Sequence, residues 1–481
     1  MKSMIKELLF ATIIVSVVMV VINLVSCASA PAPSETTPVV SEESKKAPKK
    51  EYGKTEFMED VGVALEKQGN EEALKLFETK LPKKLANDTD ILFVKAAINF
   101  GAAKYDEADS ICSEVLAQDE THADALSLKA QIAKMRGDKA AYKSQIDKIL
   151  AKDSMDPQAN IARADDFYSK KNYGQAKRHY AIALKREPNN IEALDGVGRC
   201  EYYLENDDSA KEYFNSILKI DPKNANAYLY LGKIAYANNE YKIASDNAKK
   251  ALEISPDNYQ YNMEYGMYER CLGHFKVAED CWTKAISIDP SYFLAYAYRA
   301  GLYDEQDMFS KAYTDYLKVI ELNPKYYYAY ESLGVIALHE NQWETARKAF
   351  MKCAEFNKNN ISYPLMVTYC YYMEKNDAQA QKYSNDVLRK MPNKNSIEYT
   401  MLRLFHDKKG ERPVPQKIAS LQNGNVKGKM YYYLGLFYDM FGGREFADEY
   451  YAKVVTMNSP MFFEYRLAEW RVKDKKTANG K

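Results

Sequence analysis

The chain has 481 residues, and its 67 Lys and Arg balance its 67 Asp and Glu, so there is no basic excess to drive sequence-independent binding of nucleic acid. Apolar residues make up 46% of it, ample for a core, while 20 Gly and 16 Pro are few enough for an all-helical chain. Forty tyrosines suit positions that are half buried and half wet.

At the N-terminus, Lys2 and Lys6 precede an apolar run from Leu8 to Val25, and residues 1–26 read as an export signal. The run ends in Leu24-Val25-Ser26-Cys27, which resembles the bacterial lipobox. That resemblance implies cleavage before Cys27 and a diacylglycerol on its sulfur, and two or three acyl chains anchor a protein stably. Ala28, in place of the aspartate associated with inner-membrane retention, implies an outer-membrane address facing the periplasm. An uncleaved signal anchor stays open, because the apolar run is just long enough to span a bilayer. Pro31, Pro33, Pro38 and Pro48 then lie among Ser, Thr, Glu and Lys. Residues 27–53 are therefore the lipidated cysteine and a disordered linker, reaching roughly 25 to 30 Å from the lipid.

From residue 54 a helical array begins, and a ladder of fixed spacing organises it. Pro188, Pro222, Pro256, Pro290 and Pro324 are each 34 residues apart, and Pro392 falls two intervals later with Lys358 at the skipped rung. Small residues stand 24 positions before each rung (Ala164, Gly198, Gly232, Gly266, Ala300, Gly334, Thr368) and alanines 12 before (Ala176, Ala210, Ala244, Ala278, Ala312, Ala346, Ala380). Close helix crossings need such small side chains. Four residues after the alanine a bulky ring is usual: Tyr180, Phe214, Trp282, Tyr316, Phe350. In this register the chain resembles the tetratricopeptide (TPR) family, whose helix-turn-helix units stack because none can bury its apolar face alone. The resemblance implies an all-α TPR solenoid, a right-handed superhelix of about twelve units over residues 54–461.

Seven units in register run from 157 to 394. Looser copies start at 123, 89 and near 54, and a last clear one spans 428–461. Residues 462–481 read as a capping helix and tail. Between 395 and 427 the unit is degenerate: Pro413 and Pro415 interrupt helix, and Arg403, Lys408, Lys409, Arg412, Lys417, Lys427 and Lys429 face only Asp407 and Glu411. A hinge or anion contact and a solvated loop in a decayed repeat are both open readings.

Catalytic chemistry leaves little trace. The five histidines fall in different units, and His339-Glu340 lacks a second ligand because Trp343 stands where H-e-x-x-H needs histidine. No P-loop or G-x-S-x-G pattern occurs, so neither cofactor nor metal is expected and the chain reads as a non-enzyme. Cys112, Cys200, Cys271, Cys281, Cys353 and Cys370 sit at packing positions and read as free buried thiols, not disulfides.

The TPR resemblance also implies that the fifth, ninth and twelfth residues of each first helix line a groove for protein partners. Ninth positions include Asp165, Arg199, Lys233, Met267 and Tyr369, and twelfth positions Tyr168, Tyr202, Tyr236, Arg270 and Tyr372. An aromatic and cationic band follows, in residue types favoured at interface hot spots. The plain alternative is that these tyrosines pack between neighbouring first helices. Asparagines of a carboxylate clamp are replaced by Arg199 and Lys233, so C-terminal tail recognition is not expected. The reading is a membrane-anchored scaffold that binds an extended peptide or helix in envelope assembly, secretion or cell-wall organisation. The other reading is an accessory or unrecognised enzyme acting on peptidoglycan or peptides.

Overall fold

A computed structural model describes residues 52–458 and 460–479, with side chains through Lys473. The export signal, Cys27 and most of the linker lie outside the described residues. Among the described residues there are 25 α-helices and no strand. None of these helices is long and apolar enough to cross a membrane.

Contacts divide the chain into two compact units at Tyr230, where the repeat register suggests a single array. Unit 1 contains five hairpins: Lys54–Gln68 with Asn70–Thr79 (α1, α2), Thr89–Gly101 with Tyr105–Gln118 (α3, α4), Ala123–Arg136 with Lys139–Lys152 (α5, α6), Pro157–Ser169 with Tyr173–Arg186 (α7, α8), and Ile191–Tyr203 with Asp207–Ile220 (α9, α10). Helix α11, Ala225–Ala237, crosses the division. Unit 2 continues with Tyr241–Ile254 (α12), Tyr259–Cys271 and Phe275–Ile288 (α13, α14), Phe293–Glu305 and Phe309–Leu322 (α15, α16), Tyr327–His339 and Trp343–Phe356 (α17, α18), and Ser362–Met373 and Asp377–Lys390 (α19, α20). Ile397–Asp407 and the short Val414–Ala419 (α21, α22), Gly424–Phe441 and Arg444–Thr456 (α23, α24) and Phe463–Asn479 (α25) complete it.

The ladder positions explain these boundaries. Each second helix stops just before its proline, as at Arg186, Ile220 and Ile254, because proline cannot continue a helix. Two residues on, Asn190, Asn224 and Asn258 accept hydrogen bonds from the backbone N–H groups of Ala193, Ala227 and Tyr261 and so start the next helix. Lys358 sits in the same kind of turn, between Phe356 and Ser362. Pro413 and Pro415 start the short α22 instead of breaking a longer helix, and α23 begins four residues ahead of the expected start at 428.

Within hairpins, a second ladder governs the turn. Ala103, Gly137, Lys171, Glu205, Asn239, Gly273, Asp307, Asn341 and Lys375 all have positive φ and recur at the same 34-residue spacing. This left-handed residue ends the first helix and reverses the chain. Only two of the nine are glycine.

Packing follows the small, alanine and aromatic rungs. The seven rung alanines are fully buried, and so are Tyr180, Phe214 and Phe350. A Cβ added at Gly198, Gly266 or Gly334 would stand 2.9, 2.7 or 2.8 Å from the ring of Phe214, Trp282 or Phe350 respectively, so each ring rests on its own hairpin's glycine. The hairpin of α11 and α12 has Ala248 where the ring belongs. There the fully buried Tyr268, from α13, packs beside Gly232, Ala244 and Ala248 in its place. Neighbouring hairpins are further tied by side chains one repeat apart, such as Lys104 to Glu71 at 2.9 Å and Tyr363 to Glu331 at 2.5 Å. The six described cysteines are free, and all but Cys271 are buried.

Candidate partner-binding face

Residues three and four apart share a helix face, so the ninth and twelfth positions of successive first helices are brought side by side. In unit 1 this gathers Tyr168, Arg199 and Tyr202 into one cluster. The Arg199 guanidinium lies over the Tyr168 ring, 4.6 Å from its centroid. Tyr168 meets Tyr203 at 6.0 Å, Tyr203 meets Tyr202 edge-on at 5.2 Å, and Tyr202 meets Tyr230 at 5.5 Å. Tyr203, 44% exposed, and Tyr173, stacked on it at 4.8 Å, lie outside the register positions and had no signal in the sequence.

Carboxylates surround this cluster. Arg199 Nε stands 2.7 Å from Asp195 Oδ2, without the alignment of a hydrogen bond, and Asn226 donates to Asp195 at 2.6 Å. Exposed Asp165 accepts from the Tyr180 hydroxyl. Burial pushes the Asp195 and Glu192 carboxyls up, Arg199 opposes the shift, and the charge of Asp165 adds to it. Glu192 and Asp195 therefore share the field of one guanidinium.

In unit 2 the expected cationic band is neutralised. Lys233 pairs with Glu264 at 3.2 Å and Arg270 with Glu305 at 2.8 Å, each acid coming from the next first helix. Tyr236 packs against Tyr241 and Tyr268 at 5.7 and 5.1 Å, and Met267 is partly buried among core side chains. Tyr369 is 4% exposed, edge-on to Trp343 at 5.9 Å, so it does not line an open surface. Tyr372 donates to the Phe405 carbonyl at 2.8 Å, with Lys408 4.6 Å over its ring and Phe441 beside it. For these last two tyrosines packing between repeats is the observed role. In the degenerate repeat, Lys408 also pairs with Asp377 and Arg403 with Asp407, which takes up part of the basic excess.

Helix α25 does more than cap the last hairpin. Arg466 donates from Nη1 to Asp304 Oδ1 and from Nη2 to the Asp304 carbonyl, both at 2.8 Å, and Nη2 reaches Asp307 Oδ1 at 3.2 Å. Its guanidinium lies 4.6 Å from the Trp470 ring, which meets Phe309 at 5.5 Å and His339 at 4.6 Å. Phe463 stacks near Phe350 and Tyr363 at 5.6 and 6.3 Å, and Arg471 faces Asp439 at 3.4 Å. Glu464 is fully buried, with Tyr433 Oη 2.8 Å away, and burial pushes its carboxyl up against the opposing effect of Lys429. By sequence this segment reads only as the end of the array, because repeat register reports neighbours and not partners 162 residues away.

Residues 161–225 and 201–259 match one tetratricopeptide-repeat family model, and residues 315–348 match a second. This is a tetratricopeptide-repeat protein. Solved structures similar to the TPR protein include one from Parabacteroides merdae, 19% identical over 51% of this chain and 97% of that one, with a TM-score of 0.39. Others are MamA, 25% identical over 34% and 95% with a TM-score of 0.31, and PilF of Pseudomonas aeruginosa, 19% identical over 46% and 98% with a TM-score of 0.36. No curated protein matches the sequence. TPR stacks are protein-interaction scaffolds, presenting extended faces built from successive first helices, and no catalytic family is among the matches. Among the described residues of this TPR protein, no group of three or more His, Cys, Asp or Glu side chains is placed to hold a metal ion.

Proposed function

We propose that the protein is a lipid-anchored scaffold of the bacterial envelope that captures protein partners on its first-helix faces. The observation that carries the reading is the unit 1 cluster, where half-buried Tyr168 and Tyr202 and exposed Tyr203 present rings beside Asp165, Glu192 and Asp195. Rings that are already packed lose little entropy on binding, and tyrosine is favoured at interface hot spots. The flanking acids select for a partner segment that brings a lysine or arginine. Tethering through Cys27 would hold this face within reach of the membrane, in outer-membrane assembly, secretion or cell-wall organisation.

Crosslinking in living cells, followed by mass spectrometry, tests the binding claim. Changing Tyr168, Tyr202 and Tyr203 together to alanine should remove the crosslinked partner while helicity is retained; an unchanged crosslink pattern would sink it. Mass spectrometry of the mature N-terminus tests the anchor. A diacylglyceryl Cys27 is expected, and an intact Met1 in membrane fractions would refute lipidation.

A further inference from the structure

A helix that only closes the end of a repeat array needs to cover the last hairpin. Phe462, Tyr465, Leu467 and Ala468 of the final segment are buried in this way. Three other side chains of α25 have different partners: Phe463, Arg466 and Trp470 reach α15 to α19 and the turn at Asp307. The socket they enter is built from Asp304, Asp307, Phe309 and His339, two acids beside two rings. Arginine sandwiched between carboxylates and aromatic faces is the chemistry of a recognition contact, combining directional hydrogen bonds with ring stacking. Arg466 and Trp470 are one helical turn apart and so enter the socket together. The segment joining α24 to α25 is short, and Met461 within it is 81% exposed.

We propose that the face of α15 to α19 is a binding site for an amphipathic partner helix carrying an arginine one turn ahead of an aromatic residue, and that α25 is its resident occupant. A partner takes the site by displacing α25. This rests on the reading that first-helix faces bind proteins, and it names the partner chemistry. Tethering gives the resident helix a high effective concentration, so a free peptide of the same sequence competes poorly against it. An isolated helix of this length is marginal in water, which weakens it further. The socket is thereby reserved for partners that present the motif on a pre-formed helix.

The test uses the full chain and a fluorescein-labelled peptide of residues 460–473, followed by fluorescence anisotropy. Arg466→Ala/Trp470→Ala, which empties the socket, should bind the peptide at least about tenfold more tightly than the wild-type chain. Adding Asp304→Ala should abolish that gain. Equal binding to wild type and the double variant, or no binding to a double variant that keeps its helicity, overturns the proposal. If the double variant fails to fold, hydrogen exchange of the wild-type chain decides. The amides of residues 466–473 should then exchange faster than those of α23, and exchange of both only through global unfolding overturns the proposal. The crosslinking variants in unit 1 leave this readout untouched, so failure of one claim is distinguishable from failure of the other.

Discussion

Gly266→Ala adds one methyl group to a helix, a change that on propensity alone stabilises by about 1 kcal/mol. The structure reverses the sign. An ideal Cβ at Gly266 stands 2.7 Å from Trp282 Nε1 and 3.0 Å from Cδ1 and Cε2, well inside the roughly 3.5 to 4.0 Å of ordinary carbon contact. Trp282 is 1% exposed and its Nε1–H donates to the Met263 carbonyl at 3.3 Å, so the ring cannot retreat without losing packing and a hydrogen bond. Overpacking of this kind costs about 1 to 3 kcal/mol and the hydrogen bond about 1, which leaves a net loss of about 1 to 3 kcal/mol after the propensity gain. Gly301→Ala is the internal control. It lies in the next repeat's first helix with no atom within 4 Å of its added Cβ, so only the gain of up to about 1 kcal/mol remains. Urea unfolding followed by far-UV circular dichroism, with tryptophan fluorescence as a second probe of cooperativity, should separate the two midpoints in opposite directions from wild type. A Gly266→Ala midpoint equal to or above that of Gly301→Ala would refute the reasoning.

Arg299 holds the buried Asp315 through two hydrogen bonds of 2.7 and 2.9 Å, so Arg299→Ala should cost about 3 to 5 kcal/mol by stranding the carboxylate, and Arg299→Leu/Asp315→Leu should recover most of it in the same urea assay. Burial raises the folded-state pKa of Glu464 above its unfolded value, so its protonated form favours the docked α25; that stability is full below the unfolded pKa and is lost as pH rises through the folded one. Glu464→Gln should therefore slow hydrogen exchange in α25 at neutral pH and flatten its pH dependence; faster exchange would contradict this. Burial pushes the thiols of Cys112, Cys200 and Cys281 up to about 12, whereas Cys271 is exposed. In a Cys27→Ala chain a thiol reagent should accordingly label Cys271 rapidly and the other five only in denaturant.

The helical hairpins were legible because their constraints are local and repeat. Proline stops a helix and glycine admits a ring wherever they recur at 34 residues, whatever lies around them. The positive-φ ladder was invisible for the opposite reason. Ala103, Lys171, Glu205 and Asp307 share a backbone shape imposed by the hairpin, and no residue type marks it. Tyr268 was likewise unreadable as the substitute for the missing ring at Ala248, since it comes from the following repeat. Of the candidate site, Tyr168, Arg199 and Tyr202 do come together, while Asp195, Tyr203 and Tyr173 were missed. Arg270 and Lys233 read as free cations only because Glu305 and Glu264 lie on a different helix.

The sequence by itself determined the repeat, its register and its packing rungs, because each of those depends on side chains within a single hairpin or its neighbour. It also carries the Cys27 motif, on which the proposed membrane tether depends. Tertiary structure decided which charges are paired, that Tyr369 and Tyr372 serve packing, and that α25 lies in the socket of Asp304 and Phe309. Those outcomes turn on contacts between residues up to 162 positions apart. A 34-residue period holds no information about such contacts, since they join positions that are not equivalent in the repeat.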